Sequence, residues 1–93
     1  MHYEIIVEPE ALQDLFLIKK YITEQDTLSK ANKFISELRA NIKTLNEMPA
    51  RCRKSYYSDE PNAHDLIYKK YTTVFQIRGN IVHILSIFRQ KSY

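Results

Sequence analysis

Chain breakers are scarce in this sequence. Its 93 residues hold one glycine, three prolines and one cysteine, with no repeat and no low-complexity linker. A single cysteine, Cys52, excludes an internal disulfide and fits a reducing compartment, and it reads as a structural thiol rather than a nucleophile. No apolar run approaches the roughly 20 residues needed to span a bilayer. The N-terminal apolar run Ile5-Ile6-Val7 stops at Glu8-Pro9, so nothing there resembles a signal peptide. A chain of this length can bury one modest core, so the expectation is one cytoplasmic domain covering 1–93.

What is present is a biased distribution of charge. Residues 1–50 carry six Lys/Arg against eight Asp/Glu, whereas residues 51–93 carry eight Lys/Arg against three Asp/Glu. The overall charge of +3 therefore belongs to the C-terminal half. Such a bias suits an anionic partner, either nucleic acid or an acidic protein segment, or else a solvated basic surface with no partner.

Because breakers are few, each is informative. Tyr3 to Glu8 is a short β-branched run, and Pro9 closes it where a helix can begin, since the first helical residue needs no N–H. From Pro9 to about Glu24, Ala11, Leu15, Ile18 and Ile22 recur at helical spacing, and Leu12, Phe16 and Tyr21 widen the stripe. Asp26 or Thr27 can cap a second helix, whose stripe of Ala31, Phe34, Ile35, Leu38, Ile42 and Leu45 runs to about Glu47 before Pro49. Farther on, Tyr71–Ile77 and Ile81–Phe88 read as strands joined by Arg78-Gly79-Asn80, a tight hairpin with the glycine its turn requires. Asp65–Lys69 is a further strand, and Arg53–Tyr57 suits a short edge strand. The predicted fold is α+β in the order β-α-α-β-β-β, an antiparallel helix hairpin on a mostly antiparallel sheet of three to four strands.

With this order in hand, the sequence resembles the RelE/ParE superfamily of toxins from bacterial type II toxin–antitoxin modules over nearly its whole length. The likeness lies in Tyr3-Glu4-Ile5-Ile6-Val7-Glu8-Pro9-Glu10-Ala11 with Asp14-Leu15, in Tyr21-Ile22, and in the Phe34/Leu38/Leu45 stripe ending at Met48-Pro49. It continues in Lys70-Tyr71-Thr72-Thr73-Val74-Phe75-Gln76-Ile77 and in Ile81 to Phe88. The resemblance implies a toxin held inactive by a cognate antitoxin whose extended or helical segment wraps it.

Two activities occur among such toxins. RelE-like members resemble metal-free ribonucleases that cut mRNA on the ribosome, which requires a base for the 2′-OH, cations for the phosphate charge and an acid for the leaving oxygen. By resemblance those roles would fall to Lys69, Lys70, Arg89 and Tyr93. Apart from the resemblance, Arg51-Cys52-Arg53-Lys54 reads as a solvated basic loop, or else Arg51, Arg53 and Lys54, with Lys91, contact nucleic acid or acidic residues of an antitoxin. The family's arginine after the strand aromatic is Thr72 here, and the histidine before the terminal tyrosine is Ser92. ParE-like members lack the ribonuclease residues and poison DNA gyrase, and a long helix hairpin is common among them. The leading expectation is mRNA cleavage on the ribosome. Gyrase poisoning is the alternative, and a degenerate toxin that only binds its antitoxin and regulates its operon is a third.

Structural readings accompany these roles. Lys69 and Lys70, if both lie in a strand, point to opposite faces, so only one would serve a given site. His83 shares strand parity with Ile81, Leu85 and Ile87 and reads as a residue at the edge of the core. Tyr56, Tyr57, Tyr68 and Tyr71 would form either a base-stacking surface or half-buried sheet positions. His2 and His64 lack partners at ligand spacing, so neither a metal site nor a cofactor is expected.

Overall fold

The computed structural model describes residues 2–89. Strand β1 (Glu4–Val7) leads into helix α1 (Pro9–Gln25) with Pro9 in its first turn. Thr27 caps helix α2 (Leu28–Lys43), its hydroxyl accepting the Lys30 N–H at 3.1 Å. The second helix is shorter than expected: it ends at Lys43, and two 3-10 turns, Thr44–Asn46 and Pro49–Arg51, carry the chain to strand β2 (Arg53–Lys54). Strands β3 (Ala63–Tyr68), β4 (Tyr71–Arg78) and β5 (Ile81–Arg89) follow.

The sheet has five strands in the order β1-β5-β4-β3-β2, rather than three to four. Pairing is antiparallel except between β1 and β5, which run parallel. That exception follows from connectivity, because the helix hairpin returns the chain to the far side of the sheet before β5 comes back beside β1. The expected Arg53–Tyr57 strand contracts to Arg53–Lys54: the Ser55 N–H still reaches Ala63 O at 2.9 Å, and the chain turns away from Tyr56 onward.

One face of the sheet meets both helices. Ala11, Leu15 and Ile18 from α1, with Leu38, Ile42 and Leu45, close over Tyr71, Phe75, Val82, Ile84 and Ile87. Phe75 is fully buried at the centre of this cluster. Its removal would cost about 3–5 kcal/mol, the usual range for deleting a core aromatic.

The expected stripe on α1 splits on folding. Leu12, Phe16 and Tyr21 stay exposed, because α2 and the sheet together cover only the arc centred on Ala11, Leu15 and Ile18.

A bulge reorders β5. Val74 lies opposite Ser86 and Phe75 opposite Ile84, which leaves Leu85 as the extra residue. Ile87 thereby joins Val82 and Ile84 on the helix side, so His83 does not share a face with Ile87 as simple alternation implied. His83 lies half-buried beside Ile6 and Gln76, and its Nδ1 is 2.7 Å from a Glu8 carboxylate oxygen. β5 also outruns β1, and Asp14 of α1 accepts the Ile87 N–H at 2.9 Å where the short strand no longer reaches.

Candidate functional site

Two places could hold chemistry: the sheet face away from the helices, and the end of the sheet formed by the β3–β4 turn and Arg89. Cross-strand register puts Asp65, Ile67, Thr72, Val74, Gln76, His83, Ser86 and Phe88 on the first. This face is not bare. Segment 55–62 lies against it, with the Tyr57 ring edge-on to Phe88 at 4.8 Å between centroids and the Gln76 amide donating to Pro61 O at 2.9 Å. Asp65, Thr72, Val74 and Gln76 are all buried.

The cation on this face is neutralised. Arg53 contacts Asp65 Oδ2 through both Nε and Nη2 at 3.3 Å and stacks over the Tyr56 ring at 4.1 Å. The same carboxylate oxygen accepts the Tyr56 N–H, which ties the covering segment to the sheet. Asp65 has a side chain 0% exposed, so Arg53 is held there to balance a buried charge. Thr72, which stands where the resemblance led us to expect an arginine, has a buried hydroxyl with no partner among the described residues.

At the other place, Lys69 and Lys70 are turn residues and not strand residues. Both lie between β3 and β4 in left-handed backbone, at φ 44° and 71°. Successive left-handed residues joining a tight hairpin make a type I′ turn, which Asn-Gly ordinarily fills. The alternation argument for opposite faces therefore does not apply to them.

Lys69 is committed to α2: its Nζ is 3.2 Å from a Glu37 carboxylate oxygen that also accepts the Tyr68 hydroxyl at 2.9 Å. The hydrogen bonds from Tyr68 and from Lys69 hold the Glu37 carboxyl below its ordinary value, and the bond to Glu37 raises that of Lys69. Lys70 is exposed and forms no ion pair among the described residues. Arg89 is the register partner of Tyr71 and faces the helix side, where it lines a groove with Leu17, Tyr21, Tyr71 and Ile87 beside Asp14. Burial pushes the Tyr71 hydroxyl upward, and Arg89 opposes that shift.

The other expected residues are dispersed. Arg51 is in the second 3-10 turn, bonded to Thr44 Oγ1 at 3.0 Å, and Lys54 is exposed on the β2 edge. Tyr93 and Lys91 lie outside the described residues. The four tyrosines separate as well: Tyr68 and Tyr71 pack on Phe34 beneath α2, whereas Tyr56 and Tyr57 belong to the covering segment. Two residues sequence reasoning overlooked, Glu37 and Asp65, decide what Lys69 and Arg53 can do. Burial pushes the Cys52 thiol up, away from the reactive thiolate. No cluster of metal-binding side chains and no helix long and apolar enough to cross a membrane occurs among the described residues.

A two-helix hairpin on a five-stranded, mostly antiparallel sheet is the fold of RelE/ParE toxins. The chain belongs to the ParE toxin family: the model described as "ParE toxin of type II toxin-antitoxin system, parDE" matches residues 5–92. It is thus a toxin of a type II toxin–antitoxin system. Among solved structures it is similar to a chain of the chromosomal ParDE system of P. aeruginosa, at 20% identity and TM-score 0.84, covering 97% of this chain and 98% of that one. It is also similar to a chain of the RelBE2 toxin–antitoxin complex of Mycobacterium tuberculosis, at 17% identity and TM-score 0.62, covering 97% and 100%. No curated protein sequence matches.

Proposed function

We propose that this toxin poisons DNA gyrase and does not cut RNA, and that a cognate antitoxin holds it inactive. The observation that carries this reading is that, among the described residues, Arg53 and Lys69 are already paired with carboxylates and the expected cations do not converge on one free site. Cleavage without metal needs a base, an acid and charge-stabilising cations around one phosphate. Here segment 55–62 covers part of the face opposite the helices, and Arg53 is paired with Asp65. Lys69 is paired with Glu37, and Arg89 faces the helix side. The match to the ParE family, and not merely to the wider superfamily, supports the same choice. This reverses the order in which the sequence alone ranked the two activities.

In this reading Lys70, Arg89 and Lys54 act as electrostatic contacts, which raise encounter rates and fix orientation without chemistry. The antitoxin partner is supported by the two similar structures, each of a toxin–antitoxin system. The test is to supply the purified chain to a gyrase supercoiling reaction and to cell-free translation in parallel. Arrest of supercoiling with translation intact is expected. Translation arrest with new transcript ends, abolished by Arg89→Ala or by deleting Tyr93, would overturn the proposal in favour of mRNA cleavage on the ribosome.

A further inference from the structure

Helix α1 and the end of β5 border a groove of about 290 Å³ on the helix side of the sheet. Asp14, Leu17, Ile18 and Tyr21 line it from α1, at the three- and four-residue spacing that sets side chains on one helix face. Ile87, Arg89 and Tyr71 line it from the sheet, where Arg89 and Tyr71 are cross-strand partners. The volume lies at the low end for a small-molecule site, so it suits one small ligand and not a peptide.

The groove carries opposite charges that do not meet. Asp14 is fixed against the sheet through one oxygen, Oδ2, which accepts the Ile87 N–H at 2.9 Å, and its second oxygen takes no bond among the described residues. Arg89 stands two residues, and so about 7 Å, farther along β5. It is exposed and pairs with no carboxylate among the described residues. The Tyr71 and Tyr21 hydroxyls lie at the same end as Arg89. Burial raises the Tyr71 pKa, and the smaller effects of Arg89, which lowers it, and Tyr21, which raises it, reflect the closeness of the three polar groups. Leu17, Ile18 and Ile87 supply the apolar wall.

This distribution selects among ligands by charge. A lone anion drawn to Arg89 is repelled by Asp14, and a lone cation drawn to Asp14 is repelled by Arg89, whereas a zwitterion satisfies both. One charge-assisted hydrogen bond of about 2.8 Å at each end lets an adjacent ammonium and carboxylate bridge a gap of this size.

We propose that this groove binds a free apolar α-amino acid as its zwitterion. The ammonium donates to Asp14, the carboxylate accepts from Arg89 and the tyrosine hydroxyls, and the side chain lies on Leu17, Ile18 and Ile87. The free form is selected because a residue within a polypeptide carries neither charge on its backbone. The site goes beyond the gyrase reading and does not rest on it, because occupancy is read on the toxin alone.

The test titrates L-phenylalanine into the full chain and follows methyl NMR. Saturable shifts at the Leu17, Ile18 and Ile87 methyls are expected. N-acetyl-phenylalanine, which lacks the ammonium, and phenylalaninamide, which lacks the carboxylate, should each bind about tenfold more weakly or worse. Arg89→Gln should abolish the preference over phenylalaninamide while keeping that over N-acetyl-phenylalanine. Asp14→Asn, which keeps an oxygen for the Ile87 N–H, should do the reverse. A variant that merely loses its fold would weaken all three ligands alike, so the crossed pattern reads contact with the ligand. Equal affinity of the wild-type chain for the three ligands would overturn the proposal in favour of an apolar cleft, and equally strong competition by acetate would overturn it in favour of a simple anion site. The absence of saturable shifts at these methyls up to about 10 mM L-phenylalanine would also overturn it.

Discussion

Replacing Lys70 by glycine should stabilise the protein, although it deletes a charged residue from the surface and loosens the unfolded chain. The backbone of Lys70 sits at φ 71°, in the left-handed region. An L-residue pays about 1–2 kcal/mol there because its Cβ crowds the following carbonyl oxygen. Glycine removes that crowding but has about 0.5–1 kcal/mol more conformational entropy to lose. The Lys70 side chain makes no ion pair or hydrogen bond among the described residues, so nothing else is forfeited. The net gain is about 0.5–1 kcal/mol, which for a domain of this size raises Tm by about 2–8 °C. Lys70→Ala keeps the Cβ and should leave Tm nearly unchanged. Lys69→Gly is a second control: it relieves similar crowding at φ 44° but breaks the contact to Glu37, so the two effects largely offset. Thermal unfolding of the three variants by circular dichroism checks the argument. Equal shifts for Lys70→Ala and Lys70→Gly, or a lower Tm for the glycine variant, would refute a left-handed turn at this position. Growth inhibition by Lys70→Gly reads the other role assigned to this residue, a cationic contact, and should fall even as Tm rises.

Arg53→Ala should destabilise by about 2–3 kcal/mol, less than the 3–5 typical of a fully buried pair because Arg53 is one-third exposed. Adding Asp65→Asn should recover part of that loss, and urea unfolding that finds the two changes additive would show the pair to be uncoupled. Asp14→Ala removes the acceptor of the Ile87 N–H and should cost about 1–2 kcal/mol with faster exchange at Ile87, whereas an unchanged exchange rate would mean that another group serves that N–H. The Glu37 carboxyl titrates below its ordinary 4.5, so its contribution is present above that pH and disappears as pH falls through the folded value. Lys69 is raised above 10.5, so its share is present below that pH and is lost as pH rises through the folded value. Glu37→Gln should therefore flatten the acid limb of stability against pH, and identical acid limbs for the two proteins would contradict the assignment.

The elements legible in the sequence were those set by local chemistry. Pro9 after a β-branched run marks the start of α1, and the hydroxyl of Thr27 marks that of α2. Gly79, at φ 58°, marks the β4–β5 hairpin. The turn at Lys69-Lys70 was not legible, because neither residue is one that left-handed backbone favours and the strand pattern ran through them. Nor was the bulge at Leu85, since apolar residues fall on both faces of β5, with only His83 and Ser86 polar before Arg89, and alternation there carries little information. Phe16 shows a different limit. Its spacing places it correctly on the flank of the apolar stripe, yet it is 66% exposed, because periodicity reports which residues share a face and not how wide an arc the neighbouring elements cover.

Charge was the least legible property, for a reason that bears on function. The positive excess of residues 51–93 suggested a continuous basic surface. Folding brings Glu37, 32 residues away in sequence, onto Lys69, and Asp65, 12 away, onto Arg53. Net charge survives that exchange unchanged, but its placement does not. What remains is cationic at separate places, Lys70 and Arg89 at one end of the sheet and Arg39 and Lys43 beside β1. A ribonuclease site would need its cations around a single phosphate, and the proposed reading rests on the described ones not converging in that way. Recognition of a protein surface has no such requirement, because each charge can meet its own partner across an extended interface.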